Sequence, residues 1–200
     1  NLQLVEIDGL GGRESKDSPD LWIKEKLNET SQKVNSHFEE FRFDLVTLTI
    51  YDFIWNEFCD WYIEICKIRL SSKNFQVEEK KAILQSLIST LEKSLRLAHP
   101  IMPFITEELW QQFRSEHKSK KLSIMISEYP SGKNKKTSKE YSDIEWVKSI
   151  VSGIRNIRGE MKIKPSLKIS ALLQQGDSSD RRRAKDFEYL ISELSGLGSL

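Results

Sequence analysis

Residues 51–67 read YDFIWNEFCDWYIEICK, and no other stretch of the chain carries so many large side chains. Six of its first twelve residues are aromatic. At helical spacing the stretch has an apolar stripe, made by Phe53, Ile54, Phe58, Trp61 and Ile65. Beside the stripe runs an acidic row, made by Glu57, Asp60 and Glu64. The pattern predicts the central helix of a bundle, with one polar edge available for binding.

Apolar residues at helical spacing flank this stretch on both sides. They predict helices over residues 19–41, 44–70, 77–98 and 103–113. Ser18 serves as the expected N-cap of the first helix, and Pro19 fits its first turn. Pro100 ends the third helix, because proline lacks an N–H and disfavours helical geometry in the preceding residue. We expect Phe41 and Phe104 to face inward, and the four helices to form an antiparallel bundle.

The last part of the chain has a different pattern. Apolar alternation over residues 122–126 predicts a short extended segment. Ser142 and Glu145 form a capping-box signature for a helix over 143–162, with Ile157 and Met161 on its apolar stripe. A strand over 167–173 and a helix over 180–194 follow. The expected fold is therefore mainly α, with a linker at 1–17, a helix bundle at 18–142 and a small α+β appendage at 143–200.

Motifs for catalysis and metal binding are absent from the sequence. The three histidines are far apart, and no phosphate-loop, dinucleotide-binding or nucleophile-elbow motif is present. Cys59 and Cys66 are expected to be reduced thiols on one helix, because that geometry is poor for a disulfide. The acidic row alone rarely makes a metal site. The chain reads as a non-catalytic piece without metal, membrane span or signal peptide, and its first residue, Asn1, suggests a fragment.

Charge is unevenly distributed along the chain. The net charge is +1, but residues 1–100 hold 13 basic and 17 acidic side chains. The basic excess lies within residues 114–139, which include Lys120 and Lys121. A basic segment of this kind attracts polyanions, although a solvated loop has the same composition.

Two classes of function remain compatible with the residues. RNA binding uses basic side chains for phosphates, aromatic rings for stacking and carboxylates for base edges, and the chain has all three. The aromatic cluster of Trp55, Trp61 and Tyr62 is equally typical of a packed core. The charged side chains are equally typical of solvated helix faces. The composition leaves an RNA-binding bundle and a protein-docking or scaffold bundle open.

Several motifs together resemble the anticodon-binding domain of bacterial-type valyl-tRNA synthetases. The strongest are FCDWYIE at 58–64 and LAHPIMPFITEELW at 97–110. Further matches in the same order are DLWI at 20–23, SIM at 123–125, YP at 129–130 and IRNIRGEM at 154–161. The HPxMPFxTEELW element is shared with isoleucine and leucine synthetases, so the equivalent domain of those enzymes stays an alternative. FCDWYIE is the more specific mark for valine.

The resemblance implies a class I helix-bundle domain that binds the anticodon stem-loop of valine tRNA. The parent enzyme would be a cytoplasmic valine–tRNA ligase that uses ATP and Mg²⁺. This sequence lacks the family's HIGH and KMSKS signatures, so we expect no ligase activity and no cofactor in the fragment itself. The catalytic part and the C-terminal coiled-coil arm of the same parent would be its protein partners.

The resemblance also suggests residues that contact tRNA. Valine anticodons share A in the middle and C in the third position, and both bases carry an amino group that a carboxylate can accept from. Glu64 is therefore the leading candidate for reading a base, with Trp61 beside it. Candidate phosphate contacts are Arg155, Arg158, Lys162, Lys120 and Lys121. For Arg155 and Arg158, structural ion pairs are an open alternative.

Overall fold

The computed structural model describes residues 13–117, 122–133 and 137–200, except for the side chains of 113–117. The chain divides into two compact units, Asn1–Lys136 and Thr137–Leu200. The division precedes the predicted boundary between 142 and 143, because the helix that opens the second unit begins earlier than its sequence pattern indicated. The functional division into linker, bundle and appendage stays a prediction.

The first unit is a helical bundle, and the fold as a whole is mainly α, as predicted. Its helices are α1 (Ser18–Glu39), α2 (Phe43–Asp52), a π-helical segment (Phe53–Ile63), α3 (Glu64–Ser71), α4 (Val77–Ala98) and α5 (Pro103–His117). A 3₁₀ turn, Ile124–Ile126, follows. Helix α1 packs against α2, the π-helical segment and α4, so it lies at the centre of the unit.

The ends of the helices follow from local chemistry. Helix α1 has its N-cap at Asp17 rather than at Ser18, and Pro19 lies in the first turn, where its missing N–H costs nothing. Helix α4 has the predicted bounds. Its first turn is closed by a capping box, in which the Gln76 backbone N–H donates to Glu79 Oε2 at 2.7 Å.

The predicted 44–70 helix is continuous in space but changes its winding at the centre. Phe53, Phe58 and Tyr62 are its buried side chains between residues 53 and 63. Phe53 and Phe58 are five residues apart, which suits the wider turn of a π-helix and not the period of an α-helix. As a result Tyr62 is fully buried, whereas Trp61, predicted to face the core, is only half-buried.

Three further expectations for the first unit are wrong. Residues 124–126 form a 3₁₀ turn instead of an extended segment, because Ser123 Oγ accepts from the Met125 N–H at 3.1 Å and the Ser127 N–H donates to the Ile124 carbonyl at 2.9 Å. Phe41 and Phe104, predicted to face inward, are 77% and 90% exposed. Phe41 has a positive φ of 58°, so it lies past the end of α1 and off the helical stripe.

A close approach fixes the chain after the 3₁₀ turn. The side-chain amide of Asn28 on α1 pairs with the backbone of Lys133 in both directions, with N–O distances of 2.7 and 2.8 Å. A Cβ atom on Gly132 would lie 2.4 Å from the Asn28 carbonyl oxygen, so only glycine fits there. Residues 130–133 are therefore packed along α1.

The second unit contains three helices and two short strands. They are α6 (Lys139–Glu160), β1 (Ile169–Ser170), α7 (Ser178–Asp186), α8 (Glu188–Ser195) and β2 (Leu197–Ser199). The strands pair in parallel, with Ile169 opposite Leu197. The core is apolar and comes mainly from α6 and α8, with Ile144, Val147, Val151, Phe187, Leu190, Ile191 and Leu197 buried.

The second unit also corrects the sequence interpretation. Helix α6 is capped by Ser138, whose Oγ accepts from the Tyr141 N–H at 3.1 Å, and not by Ser142. Ile157 and Met161 are exposed, because the last turn of α6 points Arg158 inward instead. The predicted strand shortens to two residues, and the predicted helix over 180–194 is two helices that meet at Phe187.

Among the helices that the structure describes, none combines the length and the apolar composition needed to cross a bilayer.

Candidate nucleic-acid interface

Glu64 lies where the π-helical segment passes into α3. Its side chain is 44% exposed, and Oε1 accepts from Lys67 Nζ at 2.6 Å. The two residues are one turn apart on the surface, so the pair holds the carboxylate without removing it from solvent. A carboxylate accepts hydrogen bonds and does not donate them, so this group favours an amino group over a carbonyl.

The π-helical winding places four residues in one outward-facing row. Tyr51, Trp55 and Asp60 are exposed, and Glu64 is half-exposed. These residues are spaced by four, five and four positions. The buried residues Phe53, Phe58 and Tyr62 show the same kind of spacing, with steps of five and four. The row was missed in the sequence because a 3.6-residue period assigns these positions to different faces. The five-residue step between aromatic residues was the available signal.

A buried network of polar side chains links this helical segment to α1 and α3. The Tyr62 hydroxyl donates to Asp20 Oδ1 at 2.6 Å, and Arg69 Nη1 lies 2.8 Å from Asp20 Oδ2. Arg69 also pairs with Asp17, just before α1. Burial raises the pKa of the Tyr62 phenol far above its usual range, and burial raises the pKa of the Cys66 thiol to about 12. These groups keep their protons at neutral pH and act structurally.

The HPIMPFITEELW element at 99–110 likewise serves packing. His99 Nδ1 lies 2.7 Å from Thr106 Oγ1, and Glu107 Oε2 accepts from Ser123 Oγ at 2.7 Å and from the Ile124 N–H at 3.2 Å. Burial opposes ionisation of Glu107, but these donors and Gln111 outweigh it and hold the pKa of the carboxyl below its usual range. The element therefore joins α5 to the 3₁₀ turn.

The basic candidates of the second unit line one concavity of about 590 Å³ at the end of α6. Arg155 is exposed, and its Nε donates to the Leu194 carbonyl at 3.0 Å. Lys162 is exposed and has a φ of 53°, because it ends α6 in the left-handed conformation. Lys164 lines the same concavity. Three exposed cationic side chains, in addition to the buried Arg158, thus line an open surface depression.

Arg158 has a different environment from its neighbours. It is buried, and its guanidinium donates to the carbonyls of Gly196, Lys164, Pro165 and Leu167 at 2.9–3.3 Å. These bonds tie the loop after α6 to the end of α8. The guanidinium is engaged with backbone rather than directed outward.

Two of the sequence candidates, Lys120 and Lys121, lie outside the described residues. Glu64 and Trp61 belong to the first unit, whereas Arg155, Arg158 and Lys162 belong to the second. Within the parts of the chain that the structure describes, no group of three or more His, Cys, Asp or Glu side chains is arranged to hold a metal ion.

The chain is similar in sequence to proteins of one known family. A family model described as the anticodon-binding domain of tRNA ligase matches residues 20–173. The valine–tRNA ligase of Psychrobacter arcticus is 35% identical over 196 residues, which cover 97% of this chain and 20% of that protein. That of Francisella tularensis subsp. tularensis is 37% identical over 182 residues, covering 90% and 20%. That of Legionella pneumophila is 34% identical over 206 residues, covering 100% and 22%.

The chain spans about a fifth of the length of these curated relatives. The family match itself covers most of the chain, from the first turn of α1 to just beyond β1. It includes Glu64, the Asp20, Tyr62 and Arg69 side chains of the buried network, and the basic side chains that line the concavity. The chain therefore belongs to the family of anticodon-binding domains of tRNA ligases.

Proposed function

We propose that this chain binds the anticodon stem-loop of valine tRNA as one part of a valine–tRNA ligase. The observation that carries the proposal is the family match over residues 20–173, together with the similarity to valine–tRNA ligases such as those of Psychrobacter arcticus and Francisella tularensis. The FCDWYIE motif supports valine over the isoleucine and leucine enzymes. The chain spans about a fifth of the length of its relatives. The activity of the whole ligase therefore belongs to the proposed parent enzyme and is itself a proposal.

Glu64 is the residue we propose to read a base. Its carboxylate is half-exposed and accepts from Lys67, so it is held on the helix surface with acceptor capacity remaining. The adenine and cytosine that valine anticodons share both offer an amino group to such an acceptor. Trp61, half-buried three residues earlier, is the second candidate on this helix, with a role in packing and orientation.

The second unit supplies phosphate contacts in this proposal. Arg155 and Lys162 are exposed and line the concavity at the end of α6, and Lys164 adds a third cation there. Lys120 and Lys121, in the basic segment at 114–139, are two further candidates for phosphate contacts. For Arg158 we propose a structural role in place of a phosphate contact, because its donors serve four backbone carbonyls.

The remaining parts of the proposal concern the parent enzyme. Joining valine to tRNA would use ATP and Mg²⁺ at a catalytic domain outside this chain, in the cytoplasm. The catalytic domain and a coiled-coil arm would be the protein partners. We expect the chain itself to bind RNA without ligase activity.

The experiment compares Glu64→Ala with Glu78→Ala. Glu78 is a matched control, because it also forms a surface ion pair with a lysine three residues later on a helix. Binding of this chain to hairpins with the valine anticodon, and with the middle or third anticodon base changed, is measured by fluorescence anisotropy. We expect Glu64→Ala to weaken binding of the natural loop about fivefold to a hundredfold and to lose discrimination between loops.

Glu78→Ala should bind like the unmodified chain. Equal binding of every hairpin by the unmodified chain, with a steep dependence on salt, would show a phosphate-binding scaffold and contradict the proposal. Base discrimination that survives in Glu64→Ala would leave the anticodon assignment intact and move the reader to another residue.

A further inference from the structure

Tyr51 and Trp55 form an exposed aromatic pair on the row that contains Glu64. Their ring centroids are 6.2 Å apart and their planes differ by 9°, so the two rings present nearly parallel faces. The side chains are 56% and 55% exposed, respectively. Large aromatic side chains are usually buried where they pack a core, as Phe53, Phe58 and Tyr62 do on the opposite face of the same segment.

The π-helical winding aligns this pair with Glu64. From Trp55, a step of five residues leads to Asp60 and a step of four to Glu64, which is one face of a helix of this width. Trp55 precedes Glu64 by nine residues, or at most about 13 Å along the axis at the α-helical rise. Bases in a stacked strand follow each other at about 3.4 Å, so a short single strand spans that distance.

The surroundings of the pair favour a base over a phosphate or an apolar helix. Asp52 and Asn56 are exposed beside the rings, and Asp60 continues the row. Carboxylates repel the phosphate backbone, so RNA must approach this row with its bases. A docking face for an amphipathic helix would continue as an apolar stripe, whereas this row becomes acidic one turn after Trp55.

From these observations we propose that Tyr51 and Trp55 are a stacking platform for an unpaired base of the anticodon loop, a few nucleotides along the strand from the base that Glu64 reads. The inference rests on the proposed function and extends it with a second recognition element. Aromatic stacking accepts any base, because every base has a π-face. The platform would therefore contribute affinity and position, while Glu64 contributes selectivity.

The test separates stacking from general apolar contact. Trp55→Phe keeps a ring, Trp55→Leu keeps apolar bulk without a ring, and Leu48→Ala is the control, since Leu48 is equally exposed one turn before Tyr51. The probe is the valine anticodon hairpin with 2-aminopurine at one unpaired loop position in turn. Affinity is measured by anisotropy and stacking by quenching of the 2-aminopurine emission.

We expect the unmodified chain and Trp55→Phe to quench one loop position, and Trp55→Leu to lose that quenching and bind about tenfold more weakly. Tyr51→Leu should weaken binding in the same direction, and Leu48→Ala should change neither signal. Thermal unfolding followed by circular dichroism should be unaltered, because both rings are half-exposed. The loss in Trp55→Leu should be the same at low and high salt, since no phosphate contact is removed.

Three results would overturn the platform. Anticodon-dependent binding with unaltered affinity and quenching in Trp55→Leu and Tyr51→Leu refutes it while the proposed function stands. Failure of the unmodified chain to distinguish anticodons removes both proposals. Self-association of the chain that Trp55→Leu retains and Leu48→Ala abolishes, seen by sedimentation with RNA binding unaffected, would identify the face as a protein contact.

Discussion

At the scale of single residues, the Asp20 carboxylate links two motifs that are distant in sequence. Asp20 opens the DLWI motif, Tyr62 lies within FCDWYIE, and the two side chains meet in the core at 2.6 Å. Arg69 supplies the compensating charge from α3. A buried charge is costly unless it is paired and hydrogen-bonded, so these three residues depend on one another. The motif residues next to the proposed base reader thus hold its helix in place.

Tyr62→Phe tests this link. The substitution removes the hydroxyl that donates to Asp20 and keeps the ring, so it leaves a buried carboxylate oxygen with one donor fewer. We expect a loss of about 1.5–3 kcal/mol in the free energy of unfolding, measured by urea denaturation. Tyr51→Phe, which removes an exposed hydroxyl, is the control. Equal stability of Tyr62→Phe and the unmodified chain would show that the hydroxyl does not support Asp20.

Arg158 can be assigned by comparing stability with RNA binding. Arg158→Met removes the donors to the carbonyls of Lys164, Leu167 and Gly196. We expect the free energy of unfolding to fall by about 1–3 kcal/mol, because buried acceptors lose their partners. A variant with unaltered stability and a shallower salt dependence of RNA binding would instead identify Arg158 as a phosphate contact.

At the scale of elements, the end of α6 combines backbone strain with a cationic side chain. Lys162 has a left-handed conformation that glycine adopts without a steric penalty and that costs other residues roughly 1–2 kcal/mol. Its N–H donates to the Gly159 carbonyl at 3.1 Å, and the Ile163 N–H donates to the Arg158 carbonyl at 2.9 Å. These two bonds close the helix around a residue that is not the favoured type.

Lys162→Gly and Lys162→Ala separate the two properties of this position. Glycine relieves the strain and alanine does not, while both remove the charge. We expect the Gly variant to be up to about 1 kcal/mol more stable than the Ala variant, measured by urea denaturation. Both should bind the anticodon hairpin more weakly, with the slope of log K against log salt reduced by about 0.7. Unaltered salt slopes would exclude Lys162 from the phosphate contacts.

Helices α6 and α7 are joined by a carboxylate that two guanidinium groups share. Arg182 Nη2 donates to both Asp143 oxygens at 2.8 and 2.9 Å, and Arg183 Nε donates to Oδ1 at 2.8 Å. Burial opposes ionisation of Asp143, but the two arginines outweigh it and hold the pKa of the carboxyl below its usual range. A pKa depressed by folding gives stability above the pKa of the unfolded chain, near 4, which is lost as the pH falls through the folded value.

Asp143→Asn should therefore remove part of the acid sensitivity of the chain. At neutral pH we expect the variant to be about 1–3 kcal/mol less stable, because it breaks a buried charge-assisted contact. As the pH falls from neutral to below about 4, the difference should shrink because the native carboxyl takes up its proton. Urea denaturation across this range measures both effects. A stability difference that does not vary with pH would show that Asp143 is not responsible.

The elements also show what the sequence can predict. Helix α4 has the predicted bounds because its capping residue, its apolar period and Pro100 all act locally. The π-helical segment could not be placed by a 3.6-residue period. The buried position that the period assigned to Trp61 is therefore taken by Tyr62. The predicted start of α6 was wrong. Ser138 and Ser142 are both plausible caps, and the choice between them depends on how α6 packs.

At the scale of the whole molecule, the family and mainly α fold followed from motifs spread over the chain; the comparisons confirm the family and the structure confirms the fold. The site is less accessible to sequence reasoning, because exposure depends on tertiary packing. Arg155 and Arg158 are equivalent in sequence pattern, yet one is exposed and the other is buried. The sequence did not single out Tyr51 as a binding residue. The structure places its ring beside that of Trp55 on the outward row.

Two hairpins test most simply whether this chain reads the valine anticodon, as we propose. One has the valine anticodon, and the other has the same three bases in permuted order, so length, charge and composition are identical. Affinities of the unmodified chain are measured at one salt concentration by fluorescence anisotropy. We expect the natural order to bind at least tenfold more tightly, since each misplaced base contact costs about 1–3 kcal/mol. Equal affinities would contradict the proposal.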